Sequence, residues 1–71
     1  MVKAKIYVET EHEIETRDFY FDINDVNGCY IYNESTMFVL INGYDYSIVF
    51  DVAIFKQCIE QINKRKLFNY N

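Results

Sequence analysis

Asn42-Gly43 stands in the middle of "TMFVLINGYDYSIVF", two β-rich runs joined by the dipeptide best suited to a two-residue hairpin turn. Both central positions of that turn want positive φ, which Gly adopts freely and Asn tolerates. The loop length then fixes the register, pairing Ile41 with Tyr44, Val39 with Tyr46 and Met37 with Ile48. Those residues share one face with Phe50. The opposite face carries Phe38 and Leu40 on one strand, facing Asp45, Ser47 and Val49 on the other. One face is core, and the other is half apolar.

A small sheet with an apolar face needs a cover, and only one segment has the period of a helix. In "FDVAIFKQCIEQINKRK", Asp51 is placed to cap the helix N-terminus, and Phe50 and Phe55 have the spacing of a hydrophobic staple. Val52, Phe55, Cys58, Ile59 and Ile62 form the expected buried stripe. Lys64 to Lys66 fall at the helix end, where cations complement the helix dipole. The remaining "LFNYN" leaves Leu67, Phe68 and Tyr70 as an apolar tail that either folds back or meets a partner.

The N-terminal half supplies the other strands. "VKAKIYVE" alternates, with Val2, Ala4, Ile6 and Val8 on one side. The next apolar set, Phe19, Phe21 and Ile23, lies at odd positions, so the buried phase flips in between. A reversal through a two- or four-residue loop near Thr10 to Glu13 corrects that phase and sets Lys5 opposite Asp18. "TEHE" lacks Gly, Asn or Pro, so a bulge in one long strand is the competing reading. "DINDVNGC" reads as turn material. It has the Asp and Asn spacing of a calcium loop, but Val26 and Asn27 occupy the places that need an oxygen ligand and a glycine. A short strand near Cys29 to Tyr32 and a turn at "NEST" follow.

The expected architecture is α+β: a small antiparallel sheet of four to five strands over residues 2–50, packed on one C-terminal amphipathic helix over 52–65. Residues 66–71 form the tail, and the 71 residues make a single domain. Six Phe and seven Tyr are too many for a disordered segment. No apolar run reaches the length of a membrane helix, and the start lacks a signal peptide's continuous apolar stretch. A cytoplasmic protein with no membrane contact is expected.

Chemistry is sparse. Glu9, Glu11, Glu13 and Glu15 alternate around His12, the only histidine. If the chain turns there, Glu9 points to one face and Glu13 and Glu15 to the other, so the row of carboxylates exists in sequence and not in space. Neither a metal nor a cofactor site is expected. Cys29 and Cys58 lack CxxC spacing and read as small buried hydrophobes. With two glycines and no catalytic constellation, the chain reads as a binding protein and not an enzyme.

Binding then rests on two surfaces. The outer face of the first hairpin carries Tyr7 and Tyr20 among Glu9, Asp18 and Asp22, with Glu11, Glu13 and Glu15 nearby. Phe38 and Leu40, with Val49, form the second surface. A net charge of −4 disfavours direct binding to nucleic acid phosphates. It suits a protein partner with a basic surface. Stacking of bases on Tyr30, Tyr32, Tyr44 or Tyr46 has the aromatics without the cations. Phe, Tyr, Met, Ile, Asn and Lys dominate and proline is absent, the bias of an AT-rich genome such as a low-GC bacterium or its phage. In size, acidity and aromatic content the chain resembles small phage- or mobile-element-encoded inhibitors of bacterial defence systems, anti-CRISPR proteins among them, though no motif carries the likeness. The expectation is an acidic protein-interaction module, in sharper form an inhibitor covering a basic nucleic-acid-handling surface of a host enzyme. The alternative is a homodimeric structural or regulatory protein with the apolar outer sheet face as its seam.

Overall fold

The computed structural model describes residues 1–69, with side chains through residue 65. Five strands, β1 (Val2–Glu9), β2 (Ile14–Phe21), β3 (Val26–Asn33), β4 (Thr36–Ile41) and β5 (Tyr44–Val49), precede the helix α1 (Val52–Asn69). All pair antiparallel in the order β2-β1-β5-β4-β3. The fold is α+β, one five-stranded sheet packed against one C-terminal helix.

The β4–β5 hairpin has the register its turn dictates, with Ile41 opposite Tyr44, Val39 opposite Tyr46 and Met37 opposite Ile48. Asn42 and Gly43 both take positive φ, 51° and 87°. The first hairpin also forms, with Lys5 opposite Asp18 and Glu9 opposite Ile14. Threonine replaces glycine in making its turn. The Thr10 N–H and hydroxyl both donate to the Glu13 carbonyl at 2.9 Å, and the Glu13 N–H returns a bond to Thr10 Oγ1 at 3.3 Å.

Between β2 and β3, "DINDVNGC" is less of a loop than its composition implies. Asp22 caps a single 3-10 turn over Ile23–Asp25, accepting from the Asn24 N–H at 2.9 Å. Val26 is already in β3 and fully buried. An apolar residue beneath the helix outweighs the turn preference of its neighbours. The NEST turn is present, with Asn33 Oδ1 accepting from the Ser35 N–H at 2.8 Å.

Met37, Val39, Ile48, Val26 and Cys58 make the fully buried centre of the core. A single residue bridge, Ile6↔Ile48, joins the two hairpins. Phe19 on β2 nevertheless reaches Tyr46 on β5, ring centroids 5.0 Å apart. The residue opposite Phe19 is Ala4, whose small side chain leaves β1 low enough to be crossed.

Asp51 caps α1 as its position predicts, accepting from the N–H groups of Ala53 and Ile54 at 2.9 and 3.1 Å. The Phe50 and Phe55 rings meet at 6.3 Å. The buried stripe departs from expectation in two members. Ile59 is only half-buried and, unlike Phe55, Cys58 and Ile62, lies outside the core cluster. Val52 is 58% exposed, and Ile54 takes its place in the core with Cys58. Val52 is the first residue of the helix and has no preceding turn to press it down.

Arg65 also does more than balance a helix dipole. Its guanidinium donates to the carbonyls of Val26, at 2.6 Å, and of Asn24. It thereby ties the last part of α1 to the 3-10 turn and the start of β3. The helix runs on to Asn69 and takes in the first residues of the expected apolar tail. Tyr70 and the side chains of Leu67 and Phe68 lie outside the described residues. Among the described residues, no helix is long and apolar enough to cross a membrane.

Candidate interaction surface

The strand order decides what the outer face looks like. Placing β1 next to β5 brings the two surfaces expected from sequence, around Tyr7 and around Phe38, onto one continuous face. A shallow trough of about 390 Å³ runs across it, lined by Ile14, Tyr7, Ser47, Thr36, Phe38 and Tyr32. Every strand of the sheet contributes to that lining.

Phe38 is the centre of the apolar part. Tyr30 stacks on it at 5.1 Å and Tyr32 meets it edge-on at 5.6 Å, the two arrangements that ring quadrupoles favour. On the other side the Tyr7 hydroxyl donates to the Ser35 carbonyl at 2.7 Å, which ties the first hairpin to the β3–β4 turn. Leu40 sits one pair further along β4, half-buried against Gly28. Tyr20 lies on the same face of the outermost strand, away from the trough lining.

Charge on this face is largely internal. Lys5 donates to Asp18 at 2.5 Å, and Lys3 stands 3.8 Å from the same carboxylate. The bond from Lys5, followed by the charges of Lys3 and Lys5, holds the Asp18 carboxyl below its ordinary pKa. Glu15 belongs to the opposite face, where Arg17 reaches it at 3.2 Å. Asp22 caps the 3-10 turn. Glu9 remains on the outer face opposite Ile14, and Glu11 and Glu13 occupy the adjoining loop with His12. The alternating carboxylates of the sequence are therefore dispersed over two faces and a loop. Among the described residues, no group of three His, Cys, Asp or Glu side chains is arranged to hold a metal ion.

Cys29 and Cys58 meet beneath the helix, close enough for each to alter the other's proton affinity. Burial raises the pKa of both thiols and pushes Cys58 up to about 12. Both are free thiols. A thiol held so firmly in its protonated form is a poor nucleophile.

Of the four tyrosines considered as stacking platforms, only Tyr30 and Tyr32 share the outer face. Tyr46 is turned inward against Phe19, and Tyr44 flanks the Asn42-Gly43 turn. Sequence reasoning missed Ile14, which is 68% exposed, and the part played by Tyr32. Only the side-by-side placement of β1 and β5 brings them into one trough, and no local pattern encodes it. No protein-family model, curated protein or solved structure matches the chain.

Proposed function

We propose that this chain is a protein-binding module whose working surface is the helix-free face of the sheet. The observation that carries the reading is the trough to which all five strands contribute, with Phe38 held between Tyr30 and Tyr32. Aromatic residues supported by their neighbours provide contact area at little entropy cost, the usual character of interface centres. Glu9 stands opposite Ile14 at one end of the trough, and the loop that carries Glu11 and Glu13 adjoins that end. The matching partner is a protein that offers an apolar or aromatic projection flanked by lysines or arginines. An inhibitor covering a basic nucleic-acid-handling surface is one protein of this kind. The reading assigns no catalytic step to the chain.

The test is capture from a low-GC bacterial lysate with the wild-type chain, Phe38→Asp, and a variant with Glu9, Glu11 and Glu13 changed to Gln. A partner retained by the wild type, lost with Phe38→Asp, and weakened by salt and by the glutamine variant supports the reading. A partner held equally by wild type and Phe38→Asp overturns it. A dimer in sedimentation that is lost on Phe38→Asp or Leu40→Asp would assign this face to self-association instead.

A further inference from the structure

The two edges of the sheet differ. At the β3 edge, the ladder with β4 is interrupted by register shifts between Val26 and Gly28 and between Ile31 and Asn33. Such bulges blunt an edge against further pairing. At the β2 edge, all eight residues from Ile14 to Phe21 pair with β1 without a shift. The helix packs chiefly on β3 and the 3-10 turn, and of β2 only Phe21 is buried, the residues from Ile14 to Tyr20 being exposed or half-buried.

The hairpin turn reveals which backbone groups β2 presents outward. Because the Thr10 N–H bonds the Glu13 carbonyl, the alternation of an antiparallel ladder directs Glu15, Arg17, Phe19 and Phe21 toward β1. The N–H and C=O groups of Ile14, Thr16, Asp18 and Tyr20 therefore point away from the sheet.

We propose that the chain self-associates by antiparallel pairing of β2 with β2 of a second copy, about a two-fold axis at Arg17. Outward groups must face outward groups, which restricts the register to centres two half-steps apart. Centring on Arg17 is the register that uses all four outward residues. It sets Ile14 opposite Tyr20 and Thr16 opposite Asp18, each pair twice and each exchanging two backbone bonds. Centring on Thr16 or on Asp18 leaves one pair unused.

The side chains agree with that centre. Ile14 and Tyr20 are large apolar residues left 68% and 56% exposed, and the two-fold axis brings each against the other. Asp18, already bonded by Lys5, gains the Thr16 hydroxyl as a neighbour. Two juxtapositions are unfavourable: Asp18 lies diagonal to Asp18 of the second copy, each carboxylate being offset by its own Lys5 and Lys3, and Arg17 stands directly against Arg17. Each arginine already has its own Glu15 at 3.2 Å and gains the second copy's Glu15 on the diagonal. The axis stands perpendicular to the sheet, so both troughs open on the same side of a continuous ten-stranded sheet. This pairing does not depend on the trough having a partner.

Backbone amide exchange by NMR tests it directly, comparing dilute protein with protein at about 1 mM, where weak contacts are populated. The expected result is slowing at the amides of Ile14, Thr16, Asp18 and Tyr20 with concentration, while Glu15, Arg17 and Phe19 stay unchanged. Thr16→Pro removes an outward N–H that β1 does not use, so it should give a folded monomer by sedimentation. Arg17→Cys should cross-link to a dimer on mild oxidation, because a central non-hydrogen-bonded pair brings Cα atoms within disulfide range. A monomer at every concentration overturns the proposal. So does a dimer that survives Thr16→Pro and is lost with Phe38→Asp. If Thr16→Pro fails to fold, the amide pattern of the wild type and the Arg17→Cys cross-link decide the matter.

Discussion

The two faces of the sheet are built from the same strands, and alternate residues serve each. On the inner face Met37, Val39 and Ile48 are fully buried, sealed by Phe21, Ile54 and Cys58. On the outer face Phe38 touches two rings at comparable distances, yet those tyrosines stay more than half exposed. Contact alone therefore does not separate the faces; removal from water does. Hydrophobic stabilisation scales with area taken out of solvent, so the inner face holds the fold while the outer face can change at small cost.

Truncations test this difference most strongly. Ile48→Ala should lower the unfolding free energy by about 2–5 kcal/mol in a urea titration, since its site is closed on every side. If Ile48→Ala cost no more than an outer-face truncation, the division between the faces would be wrong.

Alkaline titration probes the inner face without a large cavity. The Cys58 pKa is raised to about 12 when folded, whereas the thiol of an unfolded chain ionises near 9. The stability contributed by the protonated thiol is complete below pH 9 and is lost as pH rises from there through about 12. Thermal melting followed across that window should show a steady fall in midpoint. Cys58→Ala should start lower and fall less steeply.

Outer-face changes should be milder. Phe38→Ala should cost about 0.5–1.5 kcal/mol, the scale of aromatic pairing at a partly exposed site, while reducing any binding by the trough far more. Smallest of all is Asp18→Asn. Its folded pKa is depressed, so its stabilisation is present above the unfolded carboxylate value and is lost as pH falls through the folded one. Solvent screens the bond to Lys5, so the effect of Asp18→Asn on the melting midpoint should be slight and should disappear in high salt.

Much of this fold was legible because local chemistry and burial agree. Asn42-Gly43 determined its hairpin completely, and the parity change between Ile6 and Phe19 located the first reversal without a turn residue to mark it. Asp51 and the Phe50–Phe55 contact marked the helix start. What escaped depended on long-range placement. That Tyr7 and Phe38 line one trough follows from β1 lying beside β5, which no periodicity encodes. Val26 in a strand and Arg65 on the carbonyls of Asn24 and Val26 likewise require the helix to be in place first. Ile54 was overlooked because the apolar positions near the helix start admit two overlapping stripes, and only the crossing direction of the helix selects one.

The grip of Arg65 on those two carbonyls also bears on the order of assembly. Synthesis delivers the strands before the helix, so a nascent chain carries all five with nothing over their greasy side. Only once Arg65 has been added does the clamp exist that fastens the lid. Completion of this fold therefore waits until α1 has left the ribosome, and a chain cut short before Arg65 would hold its cover less firmly and present an open, sticky intermediate.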